Sequence, residues 1–159
     1  MLSHDHKKCI NKSINLAHKI ANSKAAKLTP QRLQVLRILL AGHKALGAYD
    51  ILEIMREQQS EGQSRPQPPT VYRALEFLLN LNLIHKVESQ NSYYACMIEK
   101  DVNEQHLAQA FICDNCGNVE EKIAETGARN LYEKADSFGF KIEHVIMECR
   151  GICASCQLV

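Results

Sequence analysis

Hydrophobic residues recur at helical spacing through the first half of the chain. A helix start is marked by Thr29, which can act as a cap, and by Pro30, which suits the first helical position. Gly42 marks the end of the same helix. The apolar positions that predict three helices are Ile14, Leu16, Ala17 and Ile20, then Leu33, Val35, Leu36, Leu39 and Leu40, then Ala48, Ile51, Leu52 and Met55. The first half is therefore predicted to be helical.

A loop with three prolines, residues 60–69, precedes a further predicted helix. Thr70 is expected to cap this helix, which ends near Leu81. Its apolar face consists of Val71, Leu75, Leu78 and Leu79, and the opposite face carries Tyr72, Arg73 and Glu76. Strand-forming residues at 84–88 and 92–95 then flank a polar turn, which predicts a β-hairpin.

Helices followed by a hairpin are the order of a winged helix-turn-helix, in which the last helix lies in the DNA major groove. Arg73 can pair with guanine, and the ring of Tyr72 can touch a thymine methyl group or a phosphate. Lys27 lies on the approach to a helix amino end, where it suits phosphates. With Thr70 and Arg32, these residues form the expected DNA-binding set. The alternative is an ordinary surface helix that happens to carry one arginine.

The second half alternates apolar and polar residues, as strands do. Ala108, Ala110 and Ile112 predict one strand, and Val119, Glu121 and Ile123 predict another. A helix from about Thr126 to Phe138 should end at Gly139, and a strand that starts at Phe140 should reach the second CxxC. Because few helices cover these strands, an edge and an apolar face are expected to be exposed, which favours dimerisation.

The predicted class is therefore α+β, with a winged helix-turn-helix followed by a small α/β dimerisation domain that holds a four-cysteine zinc site. We expect the DNA-binding domain to comprise residues 1–95, with a hinge at about 85–97. The dimerisation and zinc-binding domain is expected to comprise residues 97–159.

Two CxxC pairs near the end of the chain give the strongest chemical signal. They are Cys113-Asp114-Asn115-Cys116 and Cys153-Ala154-Ser155-Cys156, and 36 residues separate them. Each pair presents two thiols from one turn, so two turns can surround a tetrahedral zinc ion and leave no open position. The gap is longer than the roughly 15–20 residues of a typical zinc ribbon. Two disulfides or a redox CxxC motif are the alternatives.

Composition supports a reduced, metal-binding protein. The start, residues 1–8, is polar, and no apolar run approaches the length of a membrane span. Seven cysteines are therefore expected to be cytoplasmic thiols rather than disulfides. The net charge of +1 hides an asymmetry, since residues 1–95 hold 13 Lys and Arg against 7 Asp and Glu, while residues 96–159 hold 6 against 11. A basic first half indicates a polyanionic partner for that half.

A second set of candidate ligands consists of His85, Cys96, His106 and Glu121. Their nitrogen, sulfur and oxygen donors suit tetrahedral zinc. Spacing alone does not bring them together, however. Cys96 alone would be a small buried hydrophobe, and His85 and Glu121 would be polar strand residues.

Several segments together resemble the Fur superfamily. They are Thr29-Pro30-Gln31-Arg32, Pro68-Pro69-Thr70-Val71-Tyr72-Arg73-Ala74-Leu75, His85-Lys86-Val87-Glu88-Ser89, Asn91-Ser92-Tyr93 and the two CxxC pairs. The resemblance runs from about Leu28 to Cys156 and is closest to the zinc-sensing members. It implies a homodimeric, zinc-dependent repressor of zinc-uptake genes that binds palindromic double-stranded operators. It also implies two zinc ions per chain, a structural one on the four CxxC cysteines and a regulatory one on His85, Cys96, His106 and Glu121.

The chain also departs from the family pattern. Iron- and peroxide-sensing relatives carry a His-His-Asp-His run before the first CxxC, but here Asn103-Glu104-Gln105-His106 leaves one histidine. The remaining thiol-containing set suits zinc better than Fe(II). The loop at 60–69 also resembles a lengthened version of the family's loop. His4, His6, Cys9 and Cys149 match no family ligand.

Two alternatives remain for the function. One is a repressor of the same family that responds to Fe(II), Mn(II) or Ni(II), and the other is a zinc metallochaperone or redox protein. A metallochaperone would not need the helix and hairpin of residues 70–94. No enzyme is expected, because no nucleophile–base pair stands out, and neither a membrane nor a small-molecule substrate is expected as a partner.

Overall fold

The computed structural model describes residues 6–60, 62, 64–97, 108–142 and 145–158. The chain divides into two compact units, Met1–Cys96 and Met97–Val159. Each is described by itself. Within the described ranges, every helix is too short or too polar to cross a bilayer.

The described residues of the first unit form four helices and a three-stranded antiparallel sheet. Its elements are α1 (His6–Ser23), α2 (Pro30–Ala41), β1 (Leu46–Gly47), α3 (Ala48–Glu57), α4 (Pro68–Asn80), β2 (Ile84–Val87) and β3 (Ser92–Ala95). The strand order is β1-β3-β2. Helices α2, α3 and α4 followed by the β2–β3 hairpin form the predicted winged helix.

Local sequence explains where the helices begin. Thr29 caps α2, since its Oγ1 accepts a hydrogen bond from the backbone N–H of Arg32 at 3.4 Å, as predicted. At the start of α3 the contact runs the other way, since Oδ2 of Asp50, the third helical residue, accepts from the N–H of the cap residue Gly47 at 2.9 Å.

The predicted cap of α4 is wrong. The helix begins at Pro68, so Thr70 lies within the first turn rather than before it, and its N–H donates to the carbonyl of Gln67 at 2.9 Å. Two consecutive prolines fit a first helical turn because its N–H groups need no intrahelical acceptor.

The core of the first unit consists of long aliphatic side chains from its helices and its hairpin. The largest fully buried ones are Val35, Leu39, Ile51, Val71, Leu75, Leu78, Ile84 and Val87. The hairpin turns through a single 3-10 turn, Glu88–Gln90, and Asn91 then adopts a left-handed φ of 48°. Asn tolerates this conformation better than most residues do. The short strand β1 pairs Leu46 with Tyr93, an addition that the sequence did not predict.

Where the structure describes the second unit, it is a three-stranded sheet with two helices. Its elements are β4 (Ala108–Cys113), β5 (Val119–Ile123), α5 (Glu125–Asp136), β6 (Met147–Gly151) and α6 (Ala154–Gln157). The order is β5-β4-β6, with β4 antiparallel to β5 and parallel to β6. The α+β class is thus confirmed for the chain as a whole.

Two predicted boundaries in this unit are wrong. Helix α5 ends at Asp136, before Phe138, although Gly139 does adopt the expected left-handed φ of 75°. The strand expected from Phe140 begins only at Met147. The exposed side chains of Phe140 and Ile146 belong to the connection that leads to β6, not to an apolar strand face.

Candidate metal centres and nucleic-acid interface

The second unit brings the four CxxC cysteines together. Cys113 ends β4 and Cys116 lies in the turn that follows, whereas Cys153 caps α6 and Cys156 lies within it. All four sulfur atoms lie within 4.8 Å of one another. The Sγ atoms of Cys116 and Cys153 are 3.8 Å apart, and none of the seven cysteines forms a disulfide. The structure therefore forms a four-sulfur cluster and not the two disulfides considered as an alternative.

Backbone hydrogen bonds shape the first cysteine turn and join it to the second. The N–H of Gly117 donates to the carbonyl of Cys113 at 2.9 Å, with Gly117 at a φ of 70°. The N–H of Asp114 donates to the carbonyl of Gly151 at 2.8 Å. Gly151 ends β6, so this bond ties the first turn to the strand that leads into the second.

An ion pair makes the same connection through side chains. Nε and one terminal nitrogen of Arg150 both donate to Oδ1 of Asp114, at 2.8 and 2.6 Å. Asp114 is the second residue of the first CxxC, and Arg150 precedes the second CxxC by three residues. Sequence reasoning missed this pair, because β6 must first be known to lie beside β4.

The chemistry of this cluster fits a divalent metal ion. The backbone N–H of Cys153 donates to Sγ of Cys113 at 3.3 Å. This bond, with others from the turn, lowers the pKa of Cys113 to about 6. A side-chain contact with Asn115 favours the Cys156 thiolate, but the Cys153 thiol and burial oppose it more strongly and raise the pKa of Cys156 to about 12. Four crowded thiols thus disfavour a fourfold negative charge, which zinc would neutralise.

The second candidate ligand set is spread over both units. In the first, His85 lies on β2 opposite Tyr94, and the N–H of Cys96 donates to the carbonyl of Leu83 at 3.0 Å just beyond β3. A ring nitrogen of His85 and the sulfur of Cys96 lie within 4.8 Å of each other. The hairpin therefore places one nitrogen and one sulfur donor side by side.

In the second unit, Glu121 lies on β5 and is only 8% exposed. Its Oε2 accepts a hydrogen bond from the N–H of Met97 at 2.7 Å. A buried carboxylate is costly unless it is paired or binds a metal, so its burial is consistent with a ligand role. His106 lies outside the described residues.

Helix α4 exposes the predicted base-contacting residues. Tyr72 is 44% exposed, and Arg73 is exposed beside it, while Val71 and Leu75 are buried. Both exposed residues lie in the first turns of the helix, as predicted. This face can present an aromatic ring and a guanidinium group to a groove.

Two further observations concern the same unit. Tyr49, in the first turn of α3, is 69% exposed, and sequence reasoning did not select it. The signal was available, because an aromatic residue lies outside the apolar stripe formed by Ala48, Ile51, Leu52 and Met55.

Lys27 is exposed as expected, but the guanidinium of Arg32 contacts the Phe77 ring within the unit.

The chain thus combines a winged-helix unit with a sheet unit that brings four cysteines together. The model of the Ferric uptake regulator family matches residues 23–150. The chain is 42% identical to the Zinc uptake regulation protein of Escherichia coli K12 over 140 residues, which are 88% of this chain and 78% of that protein. The chain belongs to the Ferric uptake regulator family, so the resemblance seen in the sequence is confirmed.

Solved structures agree with this membership. A zinc uptake regulator complexed with zinc and DNA is similar at a TM-score of 0.82 and 39% identity, over 98% of this chain and 97% of that one. The structure of holo XcZur is similar at a TM-score of 0.79 and 32% identity, over 94% of this chain and 99% of that one.

Proposed function

We propose that the protein is a zinc-responsive transcriptional repressor that binds palindromic operators of zinc-uptake genes as a zinc-loaded homodimer. The observation that supports this most strongly is the similarity, over nearly the whole chain, to a zinc uptake regulator whose structure contains zinc and DNA. The exposed first turns of α4, with Tyr72 and Arg73, supply a surface that fits this role.

The first zinc ion of the proposal is structural and bound by Cys113, Cys116, Cys153 and Cys156. Four thiolates close the coordination sphere, so such an ion cross-links the chain and leaves no position for a substrate. Such an ion is structural and takes no part in catalysis itself, and a reducing cytoplasm would keep its thiols available.

The second zinc ion of the proposal is regulatory and bound by His85, Cys96, His106 and Glu121. Since these residues belong to both units, a shared metal ion would restrict how the units are oriented. Two recognition helices in a dimer must be about 34–36 Å apart to enter adjacent major grooves, so this restriction would favour operator binding. By linkage, operator DNA must then increase the affinity for zinc by the same factor.

The dimer of the proposal forms through the second unit. Large apolar side chains stand exposed there, among them Phe111, Phe138, Phe140 and Ile146. Exposed apolar surface of this kind favours association with a second copy. Two copies would supply the two recognition helices that a palindrome requires.

Within the DNA-binding set, we assign bases to Arg73 and Tyr72 and a phosphate to Lys27. An arginine can pair bidentately with guanine, which specifies sequence, whereas a phosphate contact only positions the protein. Thr70 lies in the same first turn of α4 and completes the exposed end of the helix. Arg32 also belongs to this set, although its guanidinium contacts Lys27 and Phe77 within the unit.

A repressor that responds to Fe(II), Mn(II) or Ni(II) is the alternative within the family. It is less well supported, because the thiol of Cys96 is a softer ligand than these ions prefer. A zinc metallochaperone would not require the exposed face of α4.

The test is operator binding at buffered free zinc concentrations, with Fe(II) and Mn(II) in parallel. The probe is a duplex that the wild-type protein selects from a randomised pool in the presence of zinc. We expect zinc to increase affinity for this duplex, and His85→Ala or Cys96→Ser to abolish that increase while one zinc per chain remains. Cys149→Ser, which changes a cysteine outside both ligand sets, is the control.

The dimer is measured on the same proteins by sedimentation, and both ligand variants should remain dimeric. Zinc-stimulated binding that persists in both His85→Ala and Cys96→Ser would show that the sensing site lies elsewhere. Stimulation by Fe(II) but not by zinc would replace the proposed metal.

A further inference from the structure

Arg32 makes three contacts within the first unit. Its backbone N–H donates to the Thr29 cap at 3.4 Å, and its terminal nitrogen Nη1 donates to the carbonyl of Lys27 at 2.6 Å. Its guanidinium carbon lies 3.6 Å from the centroid of the Phe77 ring. One residue therefore joins the start of α2, the segment that precedes it, and helix α4, the last two through its side chain.

Phe77 lies one helical turn after Arg73 on α4. Residues four apart in a helix share a face, with Cβ atoms about 5–6 Å apart. The ring of Phe77 is half-buried. An arginine at this spacing can fold back and stack on a phenylalanine, because the face of the ring attracts cations. Arg73 therefore has a competing partner within its own helix.

Arg32 already occupies the Phe77 ring at stacking distance. A second guanidinium at the same ring would meet repulsion from the first, because the two charges would lie well within the Debye length of about 8 Å. With the Phe77 ring occupied, the Arg73 side chain remains available to a ligand.

We propose that Arg32 is a positioning residue for DNA recognition, which anchors α4 to the start of α2 and keeps Arg73 away from Phe77. The proposal rests on the proposed function, since it specifies how the DNA-binding surface is prepared. It also changes the role expected for Arg32, from contact with DNA to support of the residue that makes the contact. A planar guanidinium suits this role better than an ammonium group, because it can stack and donate a hydrogen bond at the same time.

The experiment compares Arg32→Ala, Arg32→Lys, Phe77→Leu and the double variant Arg32→Ala/Phe77→Leu in the full-length, zinc-loaded protein. Arg37→Ala, an exposed arginine on the same helix, is the matched control. Each protein is titrated with the selected duplex and with a random duplex of equal length, at several salt concentrations. Thermal unfolding of the same samples reports folding.

We expect Arg32→Ala to lower affinity for the selected duplex about tenfold, with affinity for random DNA and the salt slope both unchanged. Arg32→Lys should resemble Arg32→Ala, and the double variant should be no weaker than Arg32→Ala alone. Arg37→Ala should match the wild type.

A phosphate contact by Arg32 would give a different result. Arg32→Ala would then weaken both duplexes equally and make the salt slope shallower by about one unit, and Arg32→Lys would restore binding. That result, or additive losses in the double variant, would overturn the proposal. A wild-type protein that selects no duplex at all would overturn the proposed function before any variant is compared, and this inference with it.

Discussion

The two units bury different kinds of side chain. In the first unit, long aliphatic residues such as Leu39, Ile51 and Leu75 are almost completely inaccessible. Among the described residues of the second unit, Val119 is the largest side chain that is buried to this degree. Most other buried positions there are small, such as Ala110, and large residues such as Phe140 stand 58% exposed.

This difference indicates two sources of stability. Burial of apolar surface stabilises the folded state by roughly 25 cal/mol per Å². The packed helices of the first unit therefore supply most of the stability that a small domain requires. A unit that buries few large residues needs a cross-link, a metal or a partner. In the second unit, the four-cysteine cluster is suited to bind a metal, and the exposed apolar surface is suited to bind a partner. The predictions below test that contrast.

The largest expected effect is the loss of the proposed structural zinc in Cys116→Ser. Structural zinc sites contribute on the order of 10 kcal/mol to the folding of small domains, so the second unit should unfold while the first remains folded. Zinc content should fall by one per chain, and sedimentation should show monomers. Hydrogen exchange, measured separately over 6–96 and 108–158, distinguishes the two units.

Cys149→Ser is the matched control for this experiment. Cys149 lies on β6 in the same unit, but outside the four-sulfur cluster. It should keep its zinc and its dimer. If Cys116→Ser retained both zinc and protection in the second unit, the unit would not depend on this metal site and the contrast would fail.

The next largest effect should come from the core of the first unit. Leu39→Ala removes a side chain that is 1% exposed, and such truncations cost roughly 2–5 kcal/mol. The first unit should lose this stability in urea unfolding, with zinc content unchanged. Phe140→Ala should leave the unfolding of the first unit unaltered. An equal effect of both substitutions on the first unit would contradict the separation of the two cores.

The first unit could be predicted almost entirely from its sequence, because its helices bury regular apolar stripes. The stripe of Ile51, Leu52 and Met55 lies wholly in the core, and the Thr29–Pro30 start is where it was expected. The missed strand β1 has two residues, too few for alternation to show. The start of α4 was misplaced because Pro68 and Pro69 can end a loop or open a helix.

The second unit was harder to predict, for a physical reason. Alternation at Ala108 to Ile112 and at Val119 to Ile123 did predict β4 and β5. Alternation from Phe140 onward predicted a strand that begins only at Met147, because exposed apolar residues such as Phe140 and Ile146 can also lie in a surface connection. The spacing of the two CxxC pairs alone predicted that the four cysteines lie together, as they do in the structure. This prediction depended on the metal-binding chemistry of paired thiols and not on local secondary structure.

A smaller effect is expected at Ser92, within the first unit. Its hydroxyl is buried on β3, and among the described residues it has no hydrogen-bond partner. Removing a buried polar group that is unsatisfied should be neutral or stabilising, so Ser92→Ala should raise the unfolding free energy by up to about 1 kcal/mol. Ser23→Ala is the control, because the Ser23 hydroxyl donates to the Ile20 carbonyl at 2.8 Å, and its loss should slightly destabilise the unit. A clear loss of stability in Ser92→Ala would instead reveal an important contact of the hydroxyl.

The smallest predicted effect concerns the ion pair between Asp114 and Arg150. Its side chains are 41% and 50% exposed, and exposed pairs contribute about 0–1 kcal/mol. Two nitrogens of Arg150 donate to one oxygen of Asp114, and the backbone bond from Asp114 to Gly151 joins the same two segments. Because it connects the two cysteine turns, its loss should speed the removal of zinc by a chelator about two- to fivefold, as expected for a contribution of this size.

Asp114→Asn and Arg150→Gln should therefore accelerate zinc release to a similar degree, and the double variant no further. High salt should reduce the difference from wild type, since it screens exposed charges. Glu120→Gln is the control, because it breaks an exposed pair of 2.6 Å with Lys122 that does not connect the cysteine turns. If Glu120→Gln accelerated release as much as Asp114→Asn, the effect would come from net charge. In that case the Asp114–Arg150 pair would not contribute to zinc retention, and the cysteine turns alone would hold the ion.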